Sequence, residues 1–146
     1  MKVKLNNSVK HIDGMHFQGR DVAGHITDMD SGPEGAMTNG ATPMDQVLQI
    51  LGGCSGMDVV NILGKRKLKP DKFEIMIDGV KQESFPRMFE EINVLYRIAG
   101  NGITLQELER AVSLSMNTYC SVTAMLKGTV KINWKCEIID GKSNEG

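Results

Sequence analysis

The sequence predicts an α+β domain with the element order βββ-α-ββ-αα-β. One long stretch, from Thr42 to Gly64 or Lys65, carries apolar residues at helical spacing. Three other stretches, residues 72–81, 92–99 and 129–138, alternate apolar and polar side chains as strands do. These strands are not interleaved with helices one for one, which favours an α+β over an α/β fold. A chain of 146 residues suits one domain, so we expect a single domain over residues 1–146.

The N-terminal residues 1–30 predict three short strands. Val3 and Leu5 alternate with lysines, Asp13-Gly14 is a hairpin turn signal, and a further strand covers residues 24–29. Strands this short and this poor in apolar residues bury little by themselves. We therefore expect them to pair with another element, such as a second subunit. Residues 31–41 have the composition of a loop.

The central helix has a start signal and an unusual middle. Thr42 suits the N-cap, Pro43 the first helical position, and Asp45 completes a capping-box pattern. Three glycines surround one cysteine: Gly52, Gly53 and Gly56. Each costs roughly 1 kcal/mol relative to Ala inside a helix, so their presence predicts close approach of another backbone or a ligand.

The C-terminal half predicts two strands, two helices and a last strand. Residues 72–81 and 92–99 form an antiparallel pair joined by a polar loop. Thr104 and Glu107 make a capping box at the start of an amphipathic helix, which breaks near residues 116–118. A short helix over residues 119–126 and a strand over residues 129–138 follow, and residues 140–146 read as a polar tail.

The overall composition excludes several classes of function. The formal net charge is −1, so charge predicts neither a nucleic-acid partner nor an anionic membrane surface. The N-terminus has no apolar leader, and polar residues interrupt the central apolar run, so we expect no membrane span. Three cysteines do not make a disulfide scaffold and fit a reducing compartment, which predicts a cytoplasmic location.

The three cysteines have different surroundings in the sequence. Cys136 lies on the apolar face of the last predicted strand and is expected in the core. Cys120, with Thr118 as N-cap, falls at the second position of a helix, where the dipole lowers a thiol pKa. The alternative for Cys120 is a small residue packed at a helix start. Cys54 lies about three turns into the central helix, where the helix dipole lowers a thiol pKa little. The simpler interpretation of Cys54 is a small buried residue.

The pairing of Cys54 with Cys120 raises a chemical alternative. Each precedes a serine and lies on a different apolar helix, and helices that share a core can bring two thiols within disulfide reach. A reactive thiol beside a second, resolving thiol is the equipment for two-electron peroxide reduction. Arg20, in Gly19-Arg20-Asp21, is either a surface charge or a group that orients a thiolate or peroxide oxygen.

A metal site is not expected. The three histidines lie in the N-terminal strands without the tight spacing of a ligand set, and no Cys-x-x-Cys pair accompanies them. They are His11, His16 and His25.

Three motifs, in this order, resemble the OsmC/Ohr family: Thr42-Pro43 through Gly52-Gly53-Cys54-Ser55-Gly56-Met57-Asp58-Val59-Val60, then Ala111 to Ser115, then Tyr119-Cys120-Ser121-Val122. The similarity covers roughly residues 10–139 with matching order and spacing. It is closest to the small OsmC-like branch with Gly-Gly-Cys-Ser and Tyr-Cys-Ser-Val motifs, and residues 24–30 fit that branch as well.

The resemblance implies a fold, a partner and an activity. Its fold is an intertwined homodimer in which residues 1–30 of one subunit join the sheet of the other and the long central helices pack back to back. Its activity is reduction of small, apolar organic hydroperoxides at the dimer interface, with an external dithiol or protein thiol as reductant and no cofactor. By motif position Cys54 is the attacking thiol, Cys120 the resolving thiol, and Arg20 supports the thiolate.

One position departs from the family pattern. The peroxidase branches carry Glu after the proline that begins the central helix, and this Glu orients the arginine. Here Met44 follows Pro43, and the next residue, Asp45, is shorter and one position round the helix. Either Asp45 replaces the Glu, or the protein is a non-catalytic or redox-sensing dimer that binds an apolar small molecule in the interface cleft.

Overall fold

The computed structural model describes residues 1–139 and divides the chain into two compact units, Met1–Val47 and the part from Leu48 onward. The polar tail predicted for residues 140–146 lies outside the described residues. The elements are β1 (Asn7–Asp13), β2 (His16–Asp21), β3 (Ile26–Met29), α1 (Pro43–Lys65), β4 (Lys72–Lys81), β5 (Phe89–Ala99), α2 (Leu105–Leu114), a π-helical turn (Ser115–Tyr119), α3 (Ser121–Leu126) and β6 (Lys131–Ile138).

The first unit is an antiparallel sheet in the order β1-β2-β3. The predicted turn at Asp13-Gly14 joins β1 to β2, and Gly14 has the positive φ of 54° that favours glycine. The first strand begins at Asn7, so its predicted start around Val3 and Leu5 is wrong. Those two apolar residues alternate with lysines but are exposed, and within residues 1–139 no strand pairs with them.

The start of α1 is anchored in the first unit. The Thr42 hydroxyl accepts a hydrogen bond from the Asp45 backbone N–H at 3.1 Å and donates one to the Asp45 carboxylate at 2.8 Å. This is the predicted cap, and it confirms Thr42 as the residue before the helix. The Gln46 side chain donates to the backbone carbonyl oxygen of Asp28 at 2.7 Å, which ties the first helical turn to the end of β3.

Helix α1 is long and apolar enough to pass a test for a membrane span by length and composition alone. Its most apolar stretch has a mean hydropathy of 1.4, and 33% of that stretch is buried within the protein. The core helix of a soluble protein passes the same test, and α1 packs against β4. Its apolar character is therefore accounted for in part by this packing.

Two of the three glycines around Cys54 let α1 lie close to β4. A Cβ on Gly52 would come within 2.5 Å of Ile77 Cδ1, and one on Gly56 within 3.0 Å of Ile75 Cδ1. The close approach at Gly52 and Gly56 is thus made to strand side chains. Gly53 is different, because a Cβ there would meet nothing within 4 Å.

The second unit contains a sheet in the order β4-β5-β6. Strands β4 and β5 are antiparallel as predicted, but β6 runs parallel to β5, so the sheet is mixed rather than antiparallel. The connection through α2, the π turn and α3 is long enough to return the chain for a parallel pairing. Strand β5 lies at the centre of the core, and α2 contributes Leu108, Ala111 and Val112, all fully buried.

The helical region after β5 begins as predicted and continues differently. Thr104 caps α2 by accepting a hydrogen bond from the Glu107 backbone N–H at 3.2 Å. The break predicted near residues 116–118 is wrong: the chain there forms a π-helical turn that continues α2. Such turns insert an extra residue into a helix and are common at functional sites. The chain then turns at Cys120, and α3 begins at Ser121.

Candidate functional site

The two cysteines singled out in the sequence meet in the second unit. Cys54 projects from the middle of α1 and is half-buried, whereas Cys120 lies between the π turn and α3 and is only 3% exposed. The two thiols lie close enough for Cys54 to contribute to the raised pKa of Cys120, and both are free. Two neighbouring free thiols in one chain are the groups that disulfide formation requires.

The predicted activation of Cys120 by a helix dipole is wrong. Thr118 belongs to the π turn and is not a cap; Cys120 itself is the N-cap of α3, and its sulfur accepts from the Thr123 backbone N–H at 3.4 Å. Burial raises the pKa of the Cys120 thiol and outweighs this donor, and the hydrogen bond to Cys54 raises that pKa further. Cys120 is therefore held protonated near neutral pH.

A chain of buried hydroxyl groups runs beside the thiols. Ser55 Oγ lies 2.7 Å from the Tyr96 hydroxyl and 2.8 Å from Ser115 Oγ, and Ser115 donates to the Asp58 carboxylate at 2.9 Å. Because a carboxylate only accepts, the hydrogen-bond directions are fixed from that end. Ser55 donates to Ser115 and Tyr96 donates to Ser55, so the chain joins β5, α1 and the π turn in one orientation.

The Met116 thioether closes this network around the thiols. Its sulfur accepts a hydrogen bond from the Thr123 hydroxyl at 3.4 Å. It also lies 3.4 Å from the Tyr96 hydroxyl oxygen and 3.6 Å from Ser55 Oγ, whose single protons are given to Ser55 and Ser115. Thr123 is also the residue whose backbone N–H reaches Cys120. The network thus fixes the residues immediately after Cys54 and around Cys120, and so the geometry of the pair.

Tyr96 gives this buried network a measurable signature. Burial raises the pKa of Tyr96 to about 12. A raised pKa means that unfolded Tyr96 ionises first, so its stabilising effect is complete below pH 10 and is lost as the pH rises towards 12. We expect the free energy of unfolding to fall by about 2 to 3 kcal/mol over that range. In a Tyr119→Phe variant, Tyr96 is the sole tyrosine, and tyrosinate absorbance should show its transition near pH 12.

A Tyr96→Phe variant is the matched control for this titration. It keeps the aromatic ring in the core and leaves Ser55 hydrogen-bonded to Ser115. Between pH 10 and 12, its free energy of unfolding should fall less than that of the wild type, because the contribution of Tyr96 is missing. A tyrosinate transition near pH 10 in the Tyr119→Phe variant would contradict the buried hydroxyl chain.

Cys136 lies on the core side of β6, paired in register with Tyr96 of β5. It is half-buried, and burial raises its pKa to about 12. The expectation that Cys136 is a packing residue agrees with this position. Its thiol is protonated throughout the neutral range.

Arg20 and Asp45 both belong to the first unit. Arg20 lies on β2 with an exposed side chain that makes no ion pair or hydrogen bond within residues 1–139. Asp45 is exposed, and its carboxylate accepts from Thr42 in the cap described above. Their assignment to the reactive site stays a prediction, and the structure gives Asp45 a separate, structural task.

The three histidines lie within hydrogen-bond distance of local partners. His16 Nε2 lies 2.7 Å from the Asp28 carboxylate, and His25 Nδ1 lies 2.8 Å from Asp21. His11 faces the Gly14 carbonyl oxygen at 2.9 Å. Among the described residues, no group of three or more potential metal ligands is found.

Sequence reasoning missed the hydroxyl network. The available signal was Tyr96, a tyrosine among Ile92, Val94 and Ile98 on the buried face of a strand, where its hydroxyl needs a partner. The partner, Ser55, was visible only as the neighbour of Cys54. The link through Ser115 to Asp58 depends on the π turn, which the spacing of apolar residues in the sequence did not predict.

The fold and the site define a class of protein: an α+β domain with a long helix across a three-stranded sheet and a thiol pair between that helix and the turn before α3. The sequence model of the family described as OsmC-like protein matches residues 34–135, which is more than half of the chain. The chain belongs to this family. The family and the α+β fold predicted from the sequence are thereby confirmed.

Three relatives show how far the similarity extends. Protein YhfA of Escherichia coli K12 is 36% identical over 133 residues, which cover 90% of this chain and 96% of YhfA. An OsmC-like protein from Mycoplasma pneumoniae has a TM-score of 0.82 at 15% identity, covering 96% of this chain and 100% of that one. The organic hydroperoxide resistance protein OhrB of Bacillus subtilis has a TM-score of 0.62 at 15% identity, covering 92% and 98%. The last two share the fold.

Proposed function

We propose that the protein is a thiol-dependent peroxidase that reduces small, apolar organic hydroperoxides. The Cys54 thiolate attacks the O–O bond, which releases the alcohol and leaves a sulfenic acid on Cys54. The Cys120 thiol condenses with the sulfenic acid, forming a disulfide and water. An external dithiol or protein thiol then reduces the disulfide and is itself oxidised. The sum is hydroperoxide plus dithiol giving alcohol, water and disulfide, without a cofactor.

The observation that carries the proposal is the proximity of the Cys54 and Cys120 thiols in one chain, where Cys54 contributes to the raised pKa of Cys120. The roles follow from their surroundings. Cys120 is the buried, protonated member, while Cys54 is the more accessible. This supports attack by Cys54 and resolution by Cys120. The fold is shared with proteins of organic hydroperoxide resistance, which supports this substrate class.

The test is hydroperoxide consumption by the purified protein with a dithiol reductant. Without reductant, one equivalent of cumene hydroperoxide per chain should be consumed and a Cys54–Cys120 disulfide should form, detected by mass spectrometry of peptides under denaturing conditions. With reductant, turnover should continue. Unmodified thiols after peroxide treatment would overturn the proposal. The three free cysteines suggest a reducing, cytoplasmic setting in which the reductant is available.

A homodimer accompanies this function in our proposal. The outer face of α1 carries an exposed stripe at alternating spacings of three and four residues, the spacing by which one helix packs on another. Two of its members are glycines, whose missing side chains leave room for a close crossing. The stripe consists of Ile50, Gly53, Met57, Val60 and Gly64. A second copy of α1 is the occupant proposed for it, and residues 1–30 are proposed to join the partner's sheet.

Charge placed in this stripe should dissociate the dimer. Val60→Asp buries two carboxylates in a two-fold interface, so we expect monomers by sedimentation at a concentration where the wild type is dimeric. Val80→Asp is the matched control, because Val80 is similarly exposed, 55% against 46%, but lies on β4. Dimers in both variants would contradict the assignment of the stripe, and monomers in both would indicate a general charge effect.

A second candidate function is supported by the surroundings of Arg20. Within the described residues Arg20 has no carboxylate partner, Met44 stands where the peroxidase branches carry Glu, and Asp45 serves as a cap. This favours a non-catalytic or redox-sensing dimer that binds an apolar small molecule. The peroxide experiment separates the two. Stoichiometric disulfide without turnover would indicate a sensor, and unmodified thiols a binding protein.

A further inference from the structure

We propose that the Thr123 hydroxyl serves the resolving step of the reaction, in which Cys120 attacks the oxidised Cys54. The hydroxyl turns from the Met116 thioether to the Cys120 sulfur as Cys120 loses its proton. There it stabilises the thiolate that attacks the sulfenic acid. The inference deepens the proposed peroxidase function and rests on it. It gives a task in the reaction to a buried hydroxyl beside the resolving thiol.

The resolving step requires a thiolate at a position that disfavours one. The Cys120 sulfur attacks the sulfur of the Cys54 sulfenic acid, the S–O bond breaks, and the leaving hydroxide takes up the proton that Cys120 has lost. The thiol is oxidised and the sulfenic acid reduced, so disulfide and water are the products. Cys120 is 3% exposed, and burial raises its pKa. A group that stabilises the Cys120 thiolate therefore accelerates this step.

Thr123 lies against the Cys120 sulfur. Its backbone N–H donates to Cys120 Sγ at 3.4 Å, and its side chain lies close enough to lower the pKa of the Cys120 thiol. Thr123 is only 2% exposed, so its hydroxyl is shielded from bulk water. A hydrogen bond to a charged atom is stronger in such surroundings than in water. The hydroxyl is therefore placed to act on the sulfur at the moment when that sulfur becomes charged.

While Cys120 is protonated, the proton of the Thr123 hydroxyl is only weakly engaged. Thr123 Oγ1 donates to the Met116 sulfur at 3.4 Å, and a thioether is a weak acceptor. A thiolate is a charged acceptor, and hydrogen bonds to charged groups are roughly twice as strong as those between neutral groups. Turning the hydroxyl therefore loses little and gains most when the charge on the Cys120 sulfur is largest. An interaction that strengthens as the charge develops raises the rate of the step.

The titratable side chains around Cys120 leave its thiolate as the charge that the hydroxyl meets. Cys54 of α1 raises the pKa of Cys120, but it has become the sulfenic acid when the resolving step begins. Tyr96 of β5 also faces Cys120, and its pKa of about 12 keeps it neutral near neutral pH. The groups that act on Tyr96 besides Cys120 are Cys136, whose pKa is also about 12, and the Asp58 carboxylate.

An NMR titration tests the effect of the hydroxyl on Cys120 without catalysis. In a protein that carries Cys54→Ser and Cys136→Ser, Cys120 is the sole cysteine, so isotope-labelled cysteine reports its ionisation. Thr123→Val removes the hydroxyl but keeps the backbone N–H and much of the side-chain shape. Because a donor to the thiolate lowers the thiol pKa, its removal should move the ionisation of Cys120 to higher pH. Thr123→Ser should leave the ionisation where it is, and an unchanged titration in the Thr123→Val protein would overturn the inference.

Single-turnover kinetics test the role of Thr123 in the reaction. The loss of one equivalent of cumene hydroperoxide measures the attack by Cys54, and the loss of sulfenic acid that a cyclic dione can label measures resolution. We expect Thr123→Val to slow resolution about tenfold and to leave the attack unchanged, because the lost hydrogen bond is made to a charged group. Thr123→Ser should resolve at nearly the wild-type rate. Thr129→Val, the same change at an exposed position, is the matched control and should have no effect.

The pattern of the two rates separates this role from a structural one. Equal slowing of attack and resolution in the Thr123→Val protein would indicate lost packing around the thiols and would overturn the inference, as would an unchanged rate of resolution. Thr123→Ala, which also lacks the hydroxyl but adds no bulk, should slow resolution as Thr123→Val does. A wild-type protein that consumes no hydroperoxide would instead refute the proposed function, and the NMR titration would then decide by itself whether the Thr123 hydroxyl acts on Cys120.

Discussion

Replacing Cys54 by Ser should abolish hydroperoxide reduction, with a loss of roughly a thousandfold or more in kcat/KM. A serine hydroxyl is a poor nucleophile towards the O–O bond at neutral pH, and Cys120 cannot substitute, because burial raises its pKa and keeps it protonated. The measurement is the initial rate of cumene hydroperoxide consumption with dithiothreitol. The Cys54→Ser protein should also show no sulfenic acid after peroxide treatment.

Cys120→Ser should behave differently from Cys54→Ser. It removes the resolving thiol but leaves Cys54 able to attack, so one equivalent of hydroperoxide should be reduced and a sulfenic acid should accumulate on Cys54. A cyclic dione probe that labels sulfenic acids, read by mass spectrometry, detects this species. The separation of a single turnover from no turnover distinguishes the roles of the two thiols.

Cys136→Ser is the control for both variants. The Cys136 thiol faces the core from β6, burial raises its pKa to about 12, and it is not part of the thiol pair. Its loss should leave kcat/KM unchanged. If Cys54→Ser retained the wild-type rate, or if Cys120→Ser accumulated no sulfenic acid while Cys54→Ser did, the order of the two thiols would have to be reversed or abandoned.

Replacing Gly52 by Val should cost about 3 kcal/mol in the free energy of unfolding. Gly52 faces β4, and even a methyl group there would come within 2.5 Å of Ile77 Cδ1. The larger side chain would force α1 away from the sheet on which it packs. Urea unfolding at one protein concentration measures the change, so that any contribution of dimerisation is the same for each variant.

Gly52→Ala combined with Ile77→Val provides a sharper control. Ile77→Val removes Cδ1, the atom that the new methyl group would meet, and the next atoms lie at 3.7 and 3.8 Å, in ordinary contact. The second substitution should therefore rescue much of the loss caused by Gly52→Ala, a coupling of about 1 kcal/mol. Additive effects of the two substitutions would contradict the close contact between α1 and β4.

The elements with strong local patterns were predictable, and those defined by distant contacts were not. The capping pattern Thr42-Pro43-Met44-Asp45 located α1, and strict alternation located β4, β5 and β6. The start of β1 was misplaced because Val3 and Leu5 alternate without a facing strand. The parallel pairing of β6 depends on how far the intervening helices carry the chain, which alternation does not encode.

The candidate site shows the same division. The sequence by itself determined the two thiols as candidates, through their serine neighbours and motif positions, and it determined the family to which the chain belongs. The tertiary structure decided the burial of the two thiols and the protonation of Cys120. The π turn places Cys120 at the N-cap of α3 in a buried position, where desolvation outweighs the backbone donor and raises its pKa. The solvation of a group depends on how far the rest of the chain excludes water from it. The protonation of Cys120 and the hydroxyl network from Tyr96 to Asp58 are therefore properties of the folded protein only.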